Sequence, residues 1–131
     1  MTPPVKLSSI RQIAITVSNV EAAVAFYHGI LGLDLLFRAG PNLVFLEAAG
    51  VRIMLSTPQG AGTVGGNSIL YFSVSDILAV HDALVRNGAT SERAPSFAAQ
   101  MPDHELWTGF LRDPDGNLVG LMEEKRDHPG I

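Results

Sequence analysis

The chain has 131 residues, a net charge of −4 and no cysteine. That length fits one domain or two small units sharing a core. The acidic balance, with no Lys/Arg block, excludes a nucleic-acid footprint, and the missing cysteine excludes a disulfide, a thiolate nucleophile and a thiolate metal site. No apolar run approaches the ~18 residues of a membrane-spanning helix. Residues 1–6 carry two prolines and no apolar core, so they are not expected to form a signal peptide, and a cytoplasmic location is expected. Hydrophobic residues make up 47% of the chain and charged residues only 17%, against about 25% charged in an average domain. The excess predicts a buried subunit interface, as in a homodimer, or an apolar cavity.

Residues 10–17 alternate and are β-branched, which predicts a strand. Ser18 and Glu21 stand at capping-box spacing and predict the start of a helix. Val20, Ala23, Val24, Tyr27 and Leu31 form its apolar stripe, and Gly32 is placed to close it. Residues 33–38, 42–47 and 51–56 read as three further strands, separated by turns at Gly40-Pro41 and Ala48-Ala49-Gly50. Residues 57–66 hold Pro58 and four glycines without periodicity, and read as a flexible linker. The order then repeats. Residues 68–74 predict a strand, and Ser75-Asp76 caps a helix striped with Ile77, Val80 and Leu84 that ends at Gly88. Residues 90–97 predict a weak strand cut by Pro95. Residues 104–112 and 117–123 flank Asp113-Pro114-Asp115-Gly116-Asn117, a hairpin turn in which proline presets φ and Gly116 accepts a positive φ. Residues 126–131 read as a polar, frayed tail.

Setting Val17-Ser18-Asn19-Val20 over Val74-Ser75-Asp76-Ile77 aligns the halves at one constant offset. An internal repeat of this kind fixes the fold class before any motif does. The chain is expected to be one α+β domain over residues 1–131. Its βαβββ repeats, 9–56 and 67–124 with linker 57–66, would form paired, curved mixed sheets around a cleft.

Alternation divides each strand into two side-chain sets. Ile13, Ile15 and Val17, Val51, Ile53 and Leu55, Leu70, Phe72 and Val74, and Val119 and Leu121 form a uniformly apolar set suited to packing under helices. The other set mixes polar, small and bulky groups: Gln12, Ala14, Thr16, Arg52, Met54, Ser56, Ile69, Tyr71, Ser73, Leu118, Gly120 and Met122. A mixed face suits a ligand cavity, with apolar walls and a few orienting polar groups.

These features resemble the vicinal oxygen chelate superfamily, which includes glyoxalase I, extradiol dioxygenases, fosfomycin-resistance enzymes and bleomycin-binding proteins. The resemblance rests on Gln12-Ile13-Ala14-Ile15-Thr16-Val17-Ser18-Asn19-Val20 with Ala25-Phe26-Tyr27 and Leu31-Gly32-Leu33. It continues in Phe72-Ser73-Val74-Ser75-Asp76-Ile77 and in Phe110 through Asn117. It implies a glyoxalase/bleomycin-resistance-like fold. Metalloenzymes of that family carry His or Glu ligands at positions that fall here on Gln12, Met54, Ile69 and Gly120. A neutral amide, a soft thioether, an aliphatic side chain and a glycine make a poor cage for Mg²⁺, Mn²⁺ or Zn²⁺. Neither a metal nor another cofactor is therefore expected.

Candidate ligand-binding residues are Gln12, Arg52, Met54, Tyr71, Trp107 and Gly120, with Phe45 and Phe97 as further aromatic candidates. Arg52 on the mixed face would want an anionic ligand or a carboxylate such as Glu47. His104 and Glu105, just ahead of a strand, are the candidates for acid–base chemistry. His28, His81 and His128 read as surface residues. The leading expectation is a metal-independent small-molecule-binding protein that sequesters its ligand in an apolar, aromatic-lined cleft. The alternative is a glyoxalase-like lyase or isomerase, or a dioxygenase-related enzyme, with a displaced metal site or with chemistry by His104 and Glu105.

Overall fold

In the computed structural model the described residues are 5–58 and 63–126. The predicted tail beyond Arg126, His128 within it, and linker residues 59–62 lie outside them. Eight strands form two four-stranded sheets. The first holds β1 (Gln12–Thr16), β2 (Asp34–Arg38), β3 (Leu43–Ala48) and β4 (Val51–Ser56) in the order β1-β4-β3-β2. The second holds β5 (Leu70–Ser73), β6 (Thr90–Gln100), β7 (Glu105–Arg112) and β8 (Leu118–Lys125) in the order β5-β8-β7-β6. The first strand of each sheet pairs in parallel with the last, and the remaining pairs are antiparallel. The same order in both halves is the architecture of a duplicated βαβββ unit, and it bears out the α+β expectation.

Helix α1 (Val20–Val24) runs on into wider π-helical turns over Ala25–Ile30. Its cap is Asn19, whose side chain accepts the Ala22 N–H at 2.9 Å. The predicted Ser18–Glu21 box does not form. The Ser18 hydroxyl donates instead to Asp115, and Glu21 pairs with Arg38 at 2.7 Å. Helix α2 (Ile77–Arg86) is capped by Asp76 at φ 58°, with its carboxylate accepting the Ala79 N–H at 3.3 Å. The weak strand predicted at 90–97 extends to Gln100 as an edge strand, through register shifts on either side of Pro95. Gly109 lies against that proline: a Cβ at Gly109 would stand 3.1 Å from the Pro95 ring. Proline is tolerated at an edge bulge because no ladder bond needs its missing N–H.

Of the apolar set predicted to lie under the helices, Ile15, Val17, Ile53, Leu55, Val119 and Leu121 are buried in one core, and Ile13, Val51, Leu70, Phe72 and Val74 pack partly buried against it. Val44, Leu46, Ile53 and Leu55 of the first sheet join Leu111, Val119 and Leu121 of the second through Val20, Val24, Phe26 and Tyr27 of the first helix. Each fully buried aliphatic side chain contributes about 1.5–3 kcal/mol of transfer free energy.

The Asp113–Asn117 turn clasps the two halves together. The Tyr27 hydroxyl donates to Asp113 Oδ2 at 2.8 Å, and the Ser18 N–H donates to Asp115 Oδ2 at 3.0 Å. Asp113 also accepts from the Asp115 and Asn117 N–H groups and from Asn117 Nδ2, at 2.8–2.9 Å. The buried carboxylate is thus solvated by four donors in place of water. No helix among the described residues is long and apolar enough to cross a membrane.

Candidate functional site

Register places the mixed-face residues in two equivalent cross-strand rows. In the first sheet Ala14 lies opposite Met54, Met54 opposite Phe45, and Phe45 opposite Phe37. In the second sheet the row is Tyr71, Gly120, Phe110 and Arg93. The offset that sets Val17 over Val74 also sets Ala14 over Tyr71, and strand pairing then makes Met54 the counterpart of Gly120 and Phe45 the counterpart of Phe110. Of the four positions singled out in the sequence, Gln12 and Met54 are brought together, with Gln12 Nε2 3.8 Å from Met54 Sδ. Gly120 meets Tyr71: a Cβ there would come within 2.7 Å of the Tyr71 ring. Ile69, two residues before Tyr71 on the same face, remains exposed.

Tested against a divalent ion, this set does not fit. The one oxygen donor, Gln12 Oε1, already accepts from Arg52 Nε at 2.6 Å, and a guanidinium at that distance disfavours a second cation beside it. The last-strand position of the second half supplies no donor, and its space is filled by an aromatic ring. Among the described residues no three His, Asp or Glu side chains stand close enough to hold an ion together.

What the rows do present is aromatic surface with guanidinium groups laid on it. Phe37 and Phe45 stack at 4.8 Å between centroids, 27° apart, and the Arg52 guanidinium lies 5.5 Å from the Phe45 ring centre. In the second sheet Tyr71 meets Phe110 edge-on at 5.7 Å. Arg93 lies 4.8 Å above Phe110 and donates to Thr108 at 2.7 Å. Phe37 and Tyr71 are about half exposed, at 50% and 49%. Phe37, Phe110 and Arg93 were not singled out in the sequence, although the repeat carries their signal, since Phe110 occupies the position that Phe45 holds in the first half.

Trp107, proposed as a pocket residue, stands on the other face. It lies opposite Glu123, packs against the apolar core and carries Lys125 Nζ 4.1 Å from its ring centre. Phe97 pairs with it on that same face. Strand alternation requires this: Trp107 is four residues from the fully buried Leu111, so both point the same way.

A cavity of about 540 Å³ also differs from expectation. Its wall is drawn mainly from the apolar set, with Leu33, Ile13, Val51 and Ile53 facing Leu70 and Phe72, and with Tyr71 and Ile69 among its lining. The first helical segment ends at Ile30 and the chain turns away at Gly32, φ 82°. That end of the first sheet is therefore left uncovered by helix.

His104 and Glu105 lie at the far end of the β6–β7 hairpin. They border a hollow of about 150 Å³ with Gln100, Pro102, Asp103 and Lys125, and neither lines the larger cavity. His104 Nδ1 is 2.6 Å from Asp103 and its Nε2 is 3.7 Å from Glu124. The hydrogen bond from His104, with Arg126 nearby, holds the Asp103 carboxyl below its ordinary value. Glu105 turns to the tryptophan and accepts Trp107 Nε1–H at 3.1 Å. His28 is exposed, with Nδ1 2.7 Å from the Leu33 carbonyl, and His81 contacts the Ser91 hydroxyl at 2.8 Å.

A profile of the Glyoxalase/Bleomycin resistance protein/Dioxygenase superfamily matches residues 9–121. The chain belongs to this superfamily. It is 29% identical over 128 residues to a probable lactoylglutathione lyase of Vibrio cholerae serotype O1, covering 88% of this chain and 90% of the relative. Among solved structures, its fold is similar to a lactoylglutathione lyase from Agrobacterium tumefaciens, with TM-score 0.72 and 22% identity, covering 92% of this chain and 95% of the other. It is equally similar to TnmS3, an antibiotic binding protein from Streptomyces sp. CB03234, with TM-score 0.72 and 22% identity over 93% and 100% of the two chains. At that identity the likeness establishes the fold alone, and a fold of this kind hosts both chemistry and simple binding.

Proposed function

We propose that this chain is a metal-independent small-molecule-binding member of the superfamily, holding its ligand against the mixed faces of the sheets. The observation that carries the proposal is the Gly120–Tyr71 contact. Where the metalloenzymes' carboxylate would stand there is no side chain, and a tyrosine ring occupies the space. The Gln12–Arg52 bond supports it from the first sheet, because the amide oxygen is already committed to a cation. Aromatic surface left half exposed is the raw material of a binding groove. The name of the Streptomyces neighbour lends the reading a precedent of ligand holding.

We also propose that the protein acts as a cytoplasmic homodimer in which each chain contributes one domain, built of the repeats 9–56 and 67–124 joined by 57–66. The exposed side chains of Val5, Leu7 and Ile10, together with the open mixed faces, support association with a second copy. Thermal melts of EDTA-treated protein across a ligand panel test the central proposal. A ligand that raises Tm without metal supports it; a rise that needs an added ion refutes it.

A second function is favoured by the two Vibrio relatives, both named probable lactoylglutathione lyases, at 29% and 27% identity. Turnover of lactoylglutathione, followed by its thioester absorbance and lost in a His104→Ala variant, would establish that alternative.

A further inference from the structure

Four arginines form ion pairs among the described residues: Arg38, Arg86, Arg112 and Arg126. Arg52 is not among them, although a carboxylate lies directly opposite it in the ladder. That carboxylate, Glu47, accepts the Gly50 N–H in the β3–β4 turn instead. Arg52 is held from its inner side, where Nε donates to Gln12 Oε1 at 2.6 Å. Its flat guanidinium lies beside the Phe45 ring, and its terminal nitrogens make no hydrogen bond among the described residues. A guanidinium fixed at Nε presents its two outer nitrogens as a fork suited to a carboxylate.

The floor next to that fork is aromatic. Phe37 and Phe45 stack across β2 and β3, and the outer ring, Phe37, is half exposed. A protein of net charge −4 repels anions on average, so a half-buried cation left without a carboxylate on a mostly apolar face is a local exception to its own field. Apolar floor, cation–π contact and an open fork are complementary to one ligand class: a flat aromatic ring bearing a carboxylate.

We propose that the Phe37–Phe45–Arg52–Gln12 ledge binds planar aromatic carboxylates, with the ring stacked on the phenylalanines and the carboxylate bidentate on Arg52. This rests on the small-molecule-binding function proposed above and names its ligand class. Isothermal titration with 2-naphthoate, 2-naphthamide and cyclohexanecarboxylate tests it. Naphthoate is expected to bind at least about tenfold more tightly than the neutral amide, the discrimination that one charge-assisted fork commonly supplies. Arg52→Gln should bring acid and amide together, Arg52→Lys should keep part of the preference, and Phe37→Ala should erode the preference for naphthoate over the saturated acid. Unchanged melting temperatures show that each variant is folded. Equal affinity for acid and amide in the wild type, or an acid preference that survives Arg52→Gln, overturns the proposal. If neutral or cationic members of a wider panel bind while naphthoate does not, the ledge proposal falls and the binding function stands; if nothing in the panel binds, both fall.

Discussion

Removing the Tyr27 hydroxyl tests the clasp between the two halves. Tyr27 is 2% exposed and Asp113 is 5% exposed, so neither can turn to bulk water. In Tyr27→Phe the Asp113 Oδ2 atom keeps only Asn117 Nδ2 as a donor. A hydrogen bond to a buried charged acceptor contributes about 1.5–3 kcal/mol. An unfolding entropy of about 2.1 cal/mol/K per residue, taken over 131 residues, turns each kcal/mol into roughly 3.6 °C. Tm should therefore fall by roughly 5–11 °C, with an unchanged urea m-value. The pH dependence gives the effect a signature. Burial first, and the Asp113 charge second, push the Tyr27 hydroxyl far above its ordinary value of 10.0. The unfolded tyrosine loses its proton near that value while the folded one keeps it. The stabilisation is thus fully present below pH 10 and is lost as pH rises above it. The wild-type advantage over Tyr27→Phe should shrink in alkaline melts. A variant that melts within about 1 °C of wild type, or a gap that ignores pH, would refute the reasoning.

Gly120→Ala forces a Cβ to 2.7 Å from the Tyr71 ring. Overpacking should destabilise by about 1–2 kcal/mol, partly offset by the lower entropy of the unfolded alanine chain. The penalty should vanish in a Tyr71→Ser background, and a double-mutant cycle with no coupling would contradict the contact. Asn19→Ala removes the only side-chain cap of the first helix and should lower stability by about 1 kcal/mol in urea titration. Glu21→Ala, whose Arg38 partner is exposed, should change it by less than about 0.5 kcal/mol, showing that Asn19 and not the Ser18–Glu21 spacing starts that helix.

The repeat and the strand alternation were legible in the sequence because one face of each strand is uniformly apolar. Among the described residues the eight strands, two helices and the Asp113–Asn117 turn fall where period and turn chemistry put them, apart from the strand after the second helix, which runs on to Gln100. The cap moved to Asn19 because Ser18 is recruited by Asp115, a partner 97 residues away that local spacing cannot reveal. The same holds for the cavity: whether the first helix covers all of its sheet depends on where the chain leaves at Gly32. Trp107 was placed by its chemistry and not by its parity, and counting four residues to Leu111 corrects its face. The superfamily's four ligand positions came from the resemblance, which does not reveal that Tyr71 fills the space above Gly120 or that Arg52 occupies the Gln12 oxygen. Those are contacts between neighbouring strands, fixed only once register is known.

The most direct measurement is metal stoichiometry. Protein stripped with EDTA and titrated calorimetrically with Ni²⁺, Mn²⁺ and Zn²⁺ should take up no ion at one per chain, and elemental analysis of the protein as purified should agree. One tightly held ion per chain, released by changing Gln12 or Met54, would contradict the central claim that this face grips no metal.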